Sequence, residues 1–177
     1  MTSETPWMPE RPASVRQLLN SPALYESQAT DENVTACARY LDALDDALKP
    51  ATAEQIGNVC RSIFAALSQK EPTPEAAKTW IVVLGDIPEP ILRRAMVELL
   101  RESSYTPKPA DLYRRSQPLM AMIRAEISAV KAVQRRLMQA IEDRRERSEI
   151  QADPVRPEDW EELKRSLGRA LQRDPAS

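Results

Sequence analysis

From Asp31 to Lys49 the apolar positions Val34, Cys37, Leu41, Leu44 and Leu48 recur at alternating steps of 3 and 4, which places them on one stripe of an amphipathic helix. Pro50 stops that helix. A second begins at Thr52, where Thr52-Ala53-Glu54-Gln55 matches a capping box, and it sets Ile56, Val59, Cys60, Ile63, Phe64 and Leu67 on one face. Gly57 inside it costs about 1 kcal/mol relative to Ala and predicts close approach of a neighbouring helix. The third helix has Thr73 as N-cap and Pro74 at its first position, buries Ala77, Trp80, Ile81 and Leu84, and ends at Gly85. Asp86-Ile87-Pro88 turns the chain into a fourth, from about Pro88 to Ser103, with Ile91, Leu92, Ala95, Met96 and Leu99 inward and Arg93, Arg94, Glu98 and Arg101 on a solvated face.

After Tyr105, the run Thr106-Pro107-Lys108-Pro109-Ala110-Asp111-Leu112 forces extended backbone before each proline and offers Pro109 as a helix start. A long helical pattern follows, which Pro118 is expected to kink or restart. Beyond it Met120, Ile123, Ile127, Val130, Gln134, Leu137 and Ile141 keep 3/4 spacing, a narrow stripe that suits a coiled-coil seam or a two-helix contact, with Gln134 setting register. Arg114, Arg115, Arg124, Lys131, Arg135, Arg136, Arg144, Arg145 and Arg147 decorate this helix.

The ends read differently. Residues 1–30, with Pro6, Pro9, Pro12 and Pro22, are expected to be a largely disordered Pro-rich arm; Trp7 and Met8 are candidate anchors, and Val15, Leu18 and Leu19 can form one short helical turn. Asp153-Pro154-Val155-Arg156-Pro157 reads as a linker. Past it Trp160, Leu163, Leu167 and Leu171 define a short amphipathic helix led by Glu158, Asp159, Glu161 and Glu162, a pattern of the helix-in-groove docking kind or of a helix folded back on its own domain. The expected fold is all-α: a small bundle of about four helices, then a long basic helix and a short C-terminal amphipathic one. The corresponding divisions are 1–30 (arm), 31–117 (helical domain), 118–150 (basic helix or coiled coil) and 151–177 (linker and docking helix).

Composition narrows the chemistry. In 177 residues there is no histidine, and Cys37 and Cys60 are the two cysteines. That removes the commonest general base, the Ser-His and Cys-His nucleophile pairs and the His-containing zinc sites, while two cysteines cannot close a zinc tetrahedron. No P-loop, GxGxxG, HExxH, CxxC or GxSxG occurs, and Asp42, Asp45 and Asp46 lie on a polar helix face without a partner set for Mg²⁺. The expectation is a non-enzymatic protein with no cofactor. The net charge of −2 divides into −4 over residues 1–50, −1 over 51–103, +4 over 104–150 and −1 over 151–177. Arg114, Arg115, Arg135, Arg136, Arg144 and Arg145 are therefore candidate nucleic-acid contacts, with Tyr105 and Tyr113 nearby for stacking and with Glu126, Glu142, Asp143 and Glu146 diluting the strip. No signal peptide or membrane span is predicted, so a cytoplasmic protein is expected.

The run Ala77-Lys78-Thr79-Trp80, then Leu84, Asp86, Pro88, Leu92 and Ala95, and after Tyr105 the turn Thr106-Pro107 with Pro109-Ala110-Asp111-Leu112, resembles the folded N-terminal domain of the phage replicative-helicase loader and inhibitor family. The resemblance covers roughly residues 52–115. It implies a small helical domain and a flexible C-terminal half that contacts a DnaB-type hexameric helicase, delivering that helicase to a replication origin through an origin-bound initiator and holding it inactive meanwhile. The chain departs from the family's pattern in its extra N-terminal helix and arm and in a C-terminal half that reads as helical. Trp160, Leu163, Leu167 and Leu171 are the expected helicase contact, by their own spacing. The alternatives are a DNA-binding replication or packaging accessory protein using the 114–147 helix, and a structural coiled coil forming a homodimer through 120–141.

Overall fold

A computed structural model describes residues 7–20, 25–70, 72–102, 105–152 and 157–171. Among them are seven helices and one isolated helical turn, with no strand: α1 (Ala13–Asn20), the turn α2 (Tyr25–Gln28), α3 (Asp31–Ala47), α4 (Ala53–Ala66), α5 (Pro74–Leu84), α6 (Glu89–Glu102), α7 (Pro109–Ala152) and α8 (Pro157–Leu171). The chain divides into two compact units, 1–138 and 139–177. The fold is all-α, and the four central helices α3 to α6 stand where the hydrophobic periods put them.

Local chemistry sets the helix ends. Thr30 caps α3, Thr52 and Gln55 close the expected capping box on α4, and Thr73 accepts from the Ala76 N–H at the start of α5 with Pro74 behind it. The end of α4 is a Schellman motif, in which the Ser68 N–H donates to the Ala65 carbonyl (3.1 Å) and the Gln69 N–H to that of Phe64 (2.9 Å). Ser68 holds φ at 52° there, in the left-handed region glycine usually occupies. Gly85, by contrast, stays right-handed at φ −60°, so α5 ends through the following corner and without a left-handed residue. The Ile87 N–H donates to the Leu84 carbonyl (3.0 Å), and Ile87 and Pro88 are buried. The Ala51 N–H donates back to the Ile87 carbonyl (3.1 Å), tying the α3–α4 connection to the α5–α6 corner.

The core of the first unit draws on α1, α3 to α7 and that corner. Leu44, Ile56, Ile63, Leu84, Ile91, Leu92, Leu112, Ile123 and Leu137 are all at most 1% exposed. Phe64 meets Trp80 edge to face across α4 and α5, with ring centroids 6.3 Å apart.

Four expectations are revised. Residues 13–20, assigned to a disordered arm, form α1, which packs on α3 and buries Val15 and Leu18 completely. Pro12 immediately precedes its first residue, and the Pro12 carbonyl accepts the first helical bond from the Arg16 N–H (2.9 Å), so proline begins this helix where composition suggested disorder. Residues 1–6 and 21–24 of the expected arm lie outside the described residues. Second, α7 runs through Pro118 without a break. The ring stands on the exposed side, where water can reach the Arg114 carbonyl that loses its helical donor. Third, of the two roles the stripe allowed, a coiled-coil seam or a two-helix contact, the second forms inside the first unit: Ile123, Val130 and Leu137 are fully buried, and the Gln134 amide donates to the Val34 carbonyl of α3 at 3.5 Å. Fourth, a Cβ built on Gly57 meets Arg61 Nη1 at 3.7 Å and no other atom within 4 Å, so no neighbouring helix requires glycine there.

A clamp joins α7 to the N-terminal segment. Glu126 accepts two hydrogen bonds of 2.7 Å from Arg11 and one of 3.3 Å from the Tyr40 hydroxyl, with its side chain 11% exposed. The carboxylate holds the Arg11 guanidinium above its ordinary value, and burial, then the same carboxylate, pushes the Tyr40 phenol up. The contacts Tyr40–Glu126 and Val34–Gln134 run in opposite chain directions, so α3 and α7 are antiparallel.

Gly57→Ala and Ser68→Gly are each expected to stabilise the protein by about 0.5–1 kcal/mol, one by removing unfolded-state freedom and the other by relieving a left-handed serine, as read by chemical denaturation. Ile123→Ala should cost about 2–5 kcal/mol in the same measurement. Burial pushes the Cys37 and Cys60 thiols up, which leaves less thiolate. Both are expected to resist a thiol-specific reagent at mildly alkaline pH until denaturant is added.

Candidate interaction surfaces

α7 begins where the sequence turn directs it. The Lys108 N–H donates to Asp111 Oδ2 at 2.8 Å, half of a capping box, with Pro109 at the first position and Leu112 fully buried beneath. This anchoring sends Arg114 and Arg115 to different places, because adjacent helical residues point about 100° apart. Arg114 is 78% exposed with Asp111 at 3.5 Å. Arg115 is turned to α6, where it pairs with Glu102 and lies 4.0 Å from Glu98.

Between them opens a cleft of about 490 Å³ lined by Leu99, Glu102, Tyr105, Asp111, Arg114, Arg115 and Pro118. Two guanidinium groups face two carboxylates, so the cleft carries no net charge to select an anion. Tyr105 is 64% exposed beside it. Among the described residues no group of three or more Cys, Asp or Glu is placed to hold a metal ion. None of the lining side chains is a nucleophile paired with a base.

The six arginines proposed as one nucleic-acid strip have different surroundings. Arg114, Arg135 and Arg136 are exposed on α7 within the first unit, Arg115 is tied to α6, and Arg144 and Arg145 belong to the second unit, where Arg145 pairs with Glu149 at 3.6 Å. Arg124 and Lys131 are exposed on the same side as Arg114 and Arg135, although the sequence reading gave them no site role. Their helical angle was the available signal; counting charges in the linear sequence hides it. Of the two tyrosines proposed for stacking, Tyr113 is 39% exposed at the start of α7.

In the second unit α8 forms over Pro157–Leu171, as its apolar period predicts. Trp160 is 51% and Leu163 47% exposed. Lys164 lies 5.8 Å from the centre of the Trp160 ring and pairs with Glu161 at 3.0 Å, which orders one flank of the apolar stripe. The side chains of Leu167 and Leu171 lie outside the described residues, as does the linker 153–156. No described helix is long and apolar enough to cross a membrane. No protein-family model, curated protein or solved structure matches the chain.

Arg114→Ala should leave stability within about 0.5 kcal/mol of the parent, since the side chain is mostly solvated. Arg115→Ala should cost about 1 kcal/mol, because it releases two α6 carboxylates from their shared cation. Equal values in a denaturation series would show that the α6 pairing contributes nothing.

Proposed function

We propose that this chain is a non-enzymatic adaptor of phage or prophage DNA replication, which binds a DnaB-type replicative helicase and loads or inhibits it. The observation that carries the reading is α8 of the second unit, where Trp160 and Leu163 stand half-exposed on one stripe of a short helix. A large aromatic beside leucine at helical spacing is the usual anchor of a helix that lies in a partner's groove. Trp160, Leu163, Leu167 and Leu171 are the proposed contact.

The resemblance of residues 52–115 to the helicase loader and inhibitor family supports the same reading. Its residues are used in caps, corner and core: Thr106 bonds Gln69, Asp111 closes the α7 start, and Ala95 and Leu112 are buried. They build a scaffold, and the partner contact falls to what leaves it. An origin-bound initiator is the further partner this function calls for, and the cytoplasm is the compartment where such a helicase works.

Pull-down of the host's replicative helicase by the full chain tests the proposal. Trp160→Ala with Leu163→Ala is expected to weaken capture at least tenfold while the helical signal of the protein is retained. Failure of the unaltered chain to bind the helicase would sink the adaptor reading; binding that the double variant leaves intact would move the contact away from α8.

A further inference from the structure

Between Leu112 and Ile141 the sequence contains one carboxylate, Glu126. In the folded chain that carboxylate is turned inward and held by Arg11 and Tyr40, so it no longer offsets the cations outside. What remains on the solvent side of α7 within the first unit is Arg114, Arg124, Lys131, Arg135 and Arg136, all exposed. At about 100° per residue these five fall in an arc of about 140°, opposite the buried Leu112, Ile123, Val130 and Leu137. Along the axis they extend about 33 Å. Among the described residues neither Arg124 nor Lys131 has an ion-pair partner.

The residues between the cations are mostly small, apart from Gln117 and Pro118 near Arg114 and Met122, 55% exposed beside the arc. Ala121, Ala125, Ser128 and Ala129 are exposed on the same helix, and the Ser128 hydroxyl is occupied by the Arg124 carbonyl at 3.0 Å. A face of this kind lets a rigid polyanion lie close over its middle, where alanine and serine stand lower than the long cationic side chains. It also offers almost no amide to read base edges, so its contacts would go to phosphate. We infer that the outer face of α7 from Arg114 to Arg136 is a binding surface for the phosphate backbone of duplex nucleic acid, independent of base sequence.

Duplex is favoured over single strand by the same inventory. Single-strand binding draws on a series of aromatic platforms, and this face has Tyr113 at one end and no other aromatic side chain. A duplex instead presents one charge per about 1.7 Å of axis, so a cationic ridge about 33 Å long meets several phosphates over about one helical turn. The proposed helicase contact on α8 is a separate matter, since no residue of α8 enters this surface.

The test is fluorescence anisotropy of the full chain with a labelled duplex of arbitrary sequence, the corresponding single strand and polyglutamate, each titrated between about 50 and about 200 mM salt. Duplex affinity is expected to fall with a log–log slope of about −4 to −5 if all five cations meet phosphate. Arg124→Ala with Lys131→Ala should lower affinity at least tenfold and reduce that slope by about 2, with circular dichroism unchanged because both side chains are on the surface. A second variant, Arg144→Ala with Arg145→Ala, should leave the slope nearly unaltered. A flat salt dependence, an effect confined to the Arg144/Arg145 variant, or equal binding of polyglutamate each overturns the inference, and so does tighter binding of the single strand than of the duplex.

Discussion

The register of α7 against α3 depends on one carboxylate. Sliding α7 by a single turn, about 5.4 Å, would keep apolar residues facing α3, since the stripe repeats every 3 or 4 residues. It would also carry Glu126 away from Arg11 and Tyr40. A carboxylate whose side chain is 11% exposed needs its partners, because a desolvated and unpaired anion is costly. The clamp therefore distinguishes arrangements that hydrophobic burial alone leaves nearly equal. It does so across long stretches of chain, at sequence separations of 115 for Arg11 and Glu126 and 86 for Tyr40 and Glu126.

Energy and specificity are divided between two sets of residues. Burying Ile123, Val130 and Leu137 contributes about 1.5–3 kcal/mol each relative to exposure, while loss of one partner from a buried ion pair costs about 3–5 kcal/mol, and less where, as with Arg11 at 33% exposure, water screens the pair. The apolar stripe thus outweighs the clamp in choosing which face of α7 points inward. Glu126 selects the axial position within that choice. Gln134, bonded to the Val34 carbonyl, reinforces the same position two turns further on.

This division explains what the sequence disclosed. Caps and corners are local: Thr52 with Gln55, Thr73 with Pro74, and Pro109 with Asp111 announce their helices within four residues, and all three starts stand where expected. Partners are not local. The 3/4 stripe on α7 fits a second copy or a neighbouring helix equally well, and only the complementary stripe of α3, about 90 residues earlier, decides for the latter. The Pro-rich composition ahead of α1 hid a helix whose stability comes from burying Val15 and Leu18 on α3, a tertiary contribution that no local propensity expresses. The candidate surfaces follow the same pattern. The exposed stripe of α8 was legible because an amphipathic period names its own face, whereas the arginines were not, because Arg114 and Arg115 are neighbours in sequence and have different surroundings in the fold.

The N-terminal segment consequently shapes the electrostatics of α7 as well as its packing. Arg11 comes from a region whose net charge is negative, yet it supplies the one cation that meets the inward carboxylate of the basic helix. With that pair satisfied internally, the inward carboxylate does not offset the cations on the outer face of α7. If Arg11 were absent, the apolar stripe would still hold Glu126 inward, and the anion would have to be hydrated in place, for turning it outward would expose Ile123, Val130 and Leu137. The basic face is thus set by the hydrophobic face opposite it, and the clamp's contribution is to make the buried carboxylate compatible with both.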